Sequence, residues 1–168
     1  MKIIFTLLMC LAPICASAQT SFAQNVYVNI STEAMMKSKD YEGIGANFQL
    51  GYKIIPSLYA FADFDGGALT YEKDGLKNHS KLSNLGGGLG YRFFLNDTGL
   101  SSIDLKASIT TTLGDVDWKS TNYKAGAYLR LSSSKVAPQI GLGYVYCDSR
   151  TNGISSRGHV FASIGFSF

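Results

Sequence analysis

From about Asn25 onward, apolar residues alternate with polar or small ones at every second position. In an extended chain that period places one set on each face of a strand. The clearest run closes the chain. Val160, Ala162, Ile164, Phe166 and Phe168 share one face, while His159, Ser163, Gly165 and Ser167 share the other, with Phe161 among them. The same alternation marks positions 44–53, 84–93, 103–111, 123–131 and 139–147. Two further segments are less clean. Positions 25–35 set Val26, Val28 and Ile30 against Asn25, Tyr27, Asn29 and Ser31. Positions 58–71 put Tyr59 and Phe61 on the same face as Asp63 and Asp65, and Gly66-Gly67 suggests a bulge there. Pro138 belongs near a strand start, because proline cannot donate to a sheet ladder.

Eight strands are thus predicted, and their connections alternate in length. Short turns fall at Ile55-Pro56-Ser57, Asn96-Asp97-Thr98-Gly99 and Ser133-Ser134-Lys135. Longer, mostly polar stretches fall at 36–43, 72–80, 114–121 and 148–158. That rhythm is expected of an up-and-down barrel inserted from one side of a membrane, with tight periplasmic turns and longer external loops. An even strand number puts both termini in the periplasm.

The two faces differ in charge. One is almost uncharged on every strand. The other carries Lys53, Asp63, Asp65, Arg92, Asp104, Lys106, Lys124 and Arg130. A soluble eight-stranded barrel of lipocalin type would turn its apolar face inward. Aromatic placement favours the opposite. On the apolar face Tyr52, Tyr91, Phe93, Phe166 and Phe168 gather at one end of the strands, and Tyr123, Tyr144 and Tyr146 toward the other. Two such girdles mark the two interfaces of a membrane. The expected fold is therefore all-β, an eight-stranded antiparallel up-and-down transmembrane β-barrel with a polar interior. The inward acids Asp63, Asp65 and Asp104 are expected to meet some of the inward bases, and the many glycines on that face leave room for long side chains.

The first residues read as an export address. Lys2 precedes an apolar run, and Ala16-Ser17-Ala18 offers a small-x-small cleavage site before Gln19. Residues 1–18 are expected to be a Sec-type signal peptide and 19–168 the barrel domain. The apolar run is too short for a spanning helix, which needs about 20 residues. Cys10 and Cys15 would leave with the signal, so only Cys147 remains and no intrachain disulfide is expected. The formal charge of +3 is too weak to suggest nucleic acid as a partner.

The terminal pattern Val160-x-Ala162-x-Ile164-x-Phe166-x-Phe168 resembles the C-terminal assembly signal of bacterial outer-membrane barrels. The whole mature chain resembles the small OmpA/OmpX-like β-barrel proteins in size, strand number and loop alternation. The resemblance implies recognition by the barrel-assembly machinery and a place in the bacterial outer membrane, among lipid and lipopolysaccharide. No periplasmic peptidoglycan-binding domain is expected after the barrel.

Chemistry is sparse along the chain. His79 is expected in a loop and His159 at a strand start, with no partners at metal-ligand or acid–base spacing. The serines show no nucleophile elbow. Leu85-Gly86-Gly87-Gly88-Leu89-Gly90 sits inside a strand pattern with no helix behind it, so packing explains it better than phosphate binding. Cys147 is expected as a small inward filler. No cofactor, metal or enzymatic activity is expected. The expected role is structural or surface-interacting through the external loops, as a monomer, with a narrow porin-like channel for small solutes as the alternative.

Overall fold

The computed structural model describes residues 25–38, 41–73, 76–95, 101–132 and 136–168. The expected signal segment lies outside them, as do the turn residues 96–99 and 133–135. Eight strands follow one another: β1 (Val26–Ser38), β2 (Tyr41–Ile55), β3 (Leu58–Lys73), β4 (Leu76–Phe94), β5 (Ser102–Thr112), β6 (Ser120–Arg130), β7 (Ala137–Ser149) and β8 (Arg157–Ser167). Each pairs antiparallel with the next, and β8 pairs with β1 to close the barrel. Closure removes every free edge within the ring, so the backbone groups of each strand find partners on both sides wherever its two neighbours overlap it. Even the last residue is stitched in. The Phe168 N–H donates to the Val28 carbonyl at 2.8 Å.

The stagger follows from the register. Tyr27 lies opposite Gly51, Gly51 opposite Phe61, Phe61 opposite Gly88, and Gly88 opposite Ser108. Ser108 lies opposite Lys124, Lys124 opposite Val145, and Val145 opposite His159. The β8–β1 register pairs Phe161 with Met35; two residues further it sets 159 against 37, ten positions beyond Tyr27. A stagger of that size over eight strands tilts them by roughly 40° from the barrel axis.

Alternation now has a physical meaning. The inward set is buried and mostly polar, and includes Asn29, Asn47, Gln49, Asp63, Asp104 and Lys106. The outward set is apolar and exposed, as at Leu50, Leu89, Ile109 and Leu142, with Ile164 66% exposed. The barrel is inside-out relative to a soluble domain, where large apolar patches are hidden.

Three expectations change. Gly66-Gly67 is no bulge, because the registers of β3 with both β2 and β4 run through it unbroken. The register shifts lie instead between Met35 and Ser38 and between Lys53 and Ile55. Two of the expected long loops are largely strand. β1 continues to Ser38 before β2 starts at Tyr41, and β3 continues to Lys73 before β4 starts at Leu76. Above the apolar belt both faces of a hairpin meet water, so the alternation fades while the backbone ladder persists. His79 consequently stands on β4, paired with Thr70, rather than in a loop. Pro138 is the second residue of β7, where its carbonyl accepts from the Leu131 N–H at 3.0 Å.

Candidate functional site: a filled lumen

The interior is arranged in tiers, whose order can be read along β3: Tyr59 near the rim where β1 begins and β8 ends, then Phe61, Asp63, Asp65, Leu69 and Tyr71 toward the far rim.

In the first tier Arg92 grips Asp104 across β4–β5. Its Nε and Nη2 donate to the two carboxylate oxygens at 2.7 Å each, a bidentate pair. The Tyr59 hydroxyl adds a third donor to Asp104 at 3.1 Å. Tyr27 and Tyr59 pack with ring centroids 4.4 Å apart, and Tyr27 lies beside Phe61 at 6.3 Å. Lys53 and Arg130 sit half-buried in the same tier.

Lys106 occupies the next tier. Its ammonium donates to the amide oxygens of Gln49 at 3.0 Å and Gln139 at 3.3 Å. It also lies 4.1 Å from the Tyr128 ring centroid and 5.3 Å from that of Tyr27, within the range of cation–π attraction. Asn29 donates to Gln139 at 2.5 Å, reaching past β8.

Asp63 is fully buried and accepts from Asn47 at 2.6 Å and from Ser108 at 2.6 Å, the latter reaching from β5. Its direct partners among the described residues are amides and a hydroxyl rather than a base. Above it, Lys124 of β6 donates to Glu33 of β1 at 2.9 Å and to Asp65 of β3 at 2.8 Å. No two of these strands are neighbours, so the triad spans the lumen.

Glycine makes this filling possible. Gly90 lies opposite Tyr59, Gly88 opposite Phe61, Gly141 opposite Tyr128 and Gly143 opposite Phe161. A Cβ built on Gly141 would run into the Tyr128 ring, and one on Gly143 into the Phe161 ring. Each of these four inward rings thus lies over a glycine on the adjacent strand.

The far mouth is closed by apolar side chains. Trp118, from the loop before β6, folds inward and is 3% exposed. It meets Tyr41 edge-on at 5.2 Å and Tyr71 at 5.8 Å, and its indole N–H donates to the Ser149 hydroxyl at 3.0 Å. Ile154, from the loop after β7, joins the same cluster with Leu69 and Cys147. Gly114 and Gly153 turn these two loops at φ of 80° and 81°, a region that favours glycine.

Of the eight charged residues singled out from the sequence, six are buried in the lumen and Lys53 and Arg130 are half-buried. Asp104 meets Arg92, and Asp65 meets Lys124. Sequence reasoning missed Glu33, although it continues the Tyr27-Asn29-Ser31 face; the apolar Ala34-Met35-Met36 blurs the period there. It also missed Trp118, whose signal was a single large ring in an otherwise polar loop. Cys147 points inward and is buried, and of the assembly-signal residues Val160, Ile164, Phe166 and Phe168 are exposed on the outer wall with Ala162 half-buried. His79 is exposed, its Nδ1 3.0 Å from the Thr70 hydroxyl. Among the described residues no group of three or more His, Cys, Asp and Glu side chains is placed to hold a metal ion.

These features define a small closed antiparallel β-barrel with a polar, filled interior and an apolar outer wall. Among solved structures, the outer membrane protein Ail of Yersinia pestis, whose backbone was determined in a phospholipid bilayer nanodisc, is similar to it. The two share 12% identity over 86% of this chain and 99% of that one, with a TM-score of 0.48. No family model matches the chain, and no curated protein matches it.

Proposed function

We propose that this chain spans the bacterial outer membrane as a plugged, non-conducting barrel and acts through its far rim as a surface-interaction protein. The distribution of charge on the outer wall carries the reading. Among the described side chains of the strands, outward acids and bases begin only at Glu42, Lys81 and Asp148, beside the far rim. On β2 the outward positions from Ile54 to Ile44 carry none. Ten residues at about 3.3 Å each, tilted roughly 40°, rise about 25 Å, the height of the apolar band of outer-membrane barrels. Glu42, Lys81 and Asp148 would then stand among the lipopolysaccharide head groups.

The crossing of the lumen by Lys124, Lys106, Asn29 and Ser108 supports a plug over a conduit. The far rim supports the interaction role. The β4–β5 register ends at Asn84 with Thr112, so positions 76–82 of β4 extend past β5 and leave one backbone edge without a strand. Leu76 there is 70% exposed. An unpaired strand edge on a rigid support is a template for an incoming extended segment.

Fractionation and bilayer recording test the proposal together. The protein is expected in the outer-membrane fraction, released only by detergent, and silent in planar bilayers. Steady single-channel steps would favour the narrow channel instead. Free solubility in the periplasm would overturn the membrane reading.

A further inference from the structure

The geometry points to a soft-metal site under the Trp118 lid, in which Met35, Cys147 and His159 bind one Cu(I) ion. The three residues stand on consecutive strands of the ring, Cys147 on β7, His159 on β8 and Met35 on β1. Val145 is the register partner of His159, and Met35 that of Phe161. Cys147 and Met35 are therefore each one inward step from the position facing His159, the diagonal relation in which side chains on paired strands reach one another.

Tyr41 ties the group together. Its hydroxyl donates to the Met35 thioether sulfur at 3.2 Å and also meets the Cys147 thiol. Its ring stacks on the His159 imidazole, with centroids 4.0 Å apart and planes 23° apart. One phenol thus touches both sulfurs and lies flat on the imidazole.

His159 supplies the independent sign of a ligand. It is 3% exposed, yet neither Nδ1 nor Nε2 has a hydrogen-bond partner. A neutral imidazole carries one donor and one acceptor, and buried polar groups are otherwise nearly always paired. A histidine serving only as a stacked filler would leave both orphaned; a metal bond satisfies the acceptor nitrogen and gives its burial a purpose.

The donor set chooses the ion. Thioether and thiolate are soft ligands that select Cu(I), and imidazole suits copper as well. Charge points the same way. Leu69, Trp118 and Ile154 line the group, and Arg157, the register partner of Cys147, already brings one positive charge beside Cys147 and His159, so an added dication is penalised. Cu(I) with one thiolate is neutral, whereas a dication is not. Binding replaces the Cys147 S–H bond by a sulfur–copper bond, and the proton leaves to solvent; copper stays Cu(I) throughout.

The test uses the protein purified from expressing cells in detergent micelles, without oxygen, with Cu(I) delivered in competition with a chromogenic chelator such as bicinchoninate. One equivalent is expected to be retained. Cys147→Ser and His159→Gln are each expected to weaken retention at least tenfold and Met35→Leu severalfold, with the folded gel mobility unchanged. Trp118, the single tryptophan, is expected to change its emission on addition of Cu(I) or Ag(I). The inference is overturned by absence of uptake, by tighter retention of Zn(II) than of Cu(I), or by loss in Cys147→Ser alone while His159→Gln and Met35→Leu bind normally. Where a variant does not fold, the wild type blocked at Cys147 by a small methanethiosulfonate serves instead: it is expected to take up no Cu(I), and uptake overturns the site.

Discussion

Arg92 and Asp104 face one another as register partners on β4 and β5 and close two 2.7 Å hydrogen bonds in the first tier of the lumen. Asp104 is fully buried, so loss of that partner strands its carboxylate away from water. Arg92→Ala is expected to lower unfolding stability by about 3–5 kcal/mol, the usual penalty for stranding one half of a buried pair. Urea titration in lipid vesicles measures it, and the heat-resistant gel mobility should appear more slowly on refolding. The exchanged pair, Arg92→Asp with Asp104→Arg, is expected to recover part of the loss.

Lys124 holds two carboxylates, Glu33 and Asp65, from strands that do not adjoin its own. Lys124→Met leaves both without their base and is expected to cost about 3–5 kcal/mol. Neutralising the whole set, with Glu33→Gln and Asp65→Asn added, is expected to return stability to within about 1–2 kcal/mol of wild type, since a buried ionic triad contributes little net free energy. Equal losses in the single and triple variants would show that Lys124 acts by shape alone.

Depth on the outer wall gives the membrane reading a quantitative check. Ile164 lies midway along the apolar band and Ile54 at its edge, and both are exposed. Ile164→Arg is expected to cost about 2–4 kcal/mol in vesicles and Ile54→Arg about 0–1 kcal/mol. Equal small costs at both positions would mean that water rather than lipid surrounds the wall.

The ring-over-glycine pairs predict coupling between substitutions. Gly141→Ala forces the Tyr128 ring from its seat and is expected to cost about 1–3 kcal/mol. In a Tyr128→Leu background the same change should cost less than half as much, because residues in contact do not add independently. A double-mutant cycle followed by urea unfolding resolves the difference.

Trp118 and Cys147 belong to the same buried cluster at the far mouth. Trp118→Ala is expected to raise the rate at which Cys147 in the folded barrel reacts with a maleimide by tenfold or more, with the gel mobility unchanged. An unaltered rate would place the lid elsewhere.

The period of two in the sequence determined the strands, and the confinement of charge to one side of that period determined the polarity of the barrel. Both are local: a residue's face depends only on its place along its own strand. Alternation faded beyond the apolar belt, so the extension of the β1–β2 and β3–β4 hairpins stayed hidden where polar residues occupy both faces. The identity of the ion pairs was not local. Asp104 with Arg92 follows from one register, but Lys124 with Glu33 and Asp65 depends on the stagger accumulated around all eight strands. The inward turn of Trp118 and the gathering of Met35, Tyr41, Cys147 and His159 depend on it too. A ten-residue stagger exists only once β8 has met β1, and ring closure is a property of the tertiary structure that no single strand contains.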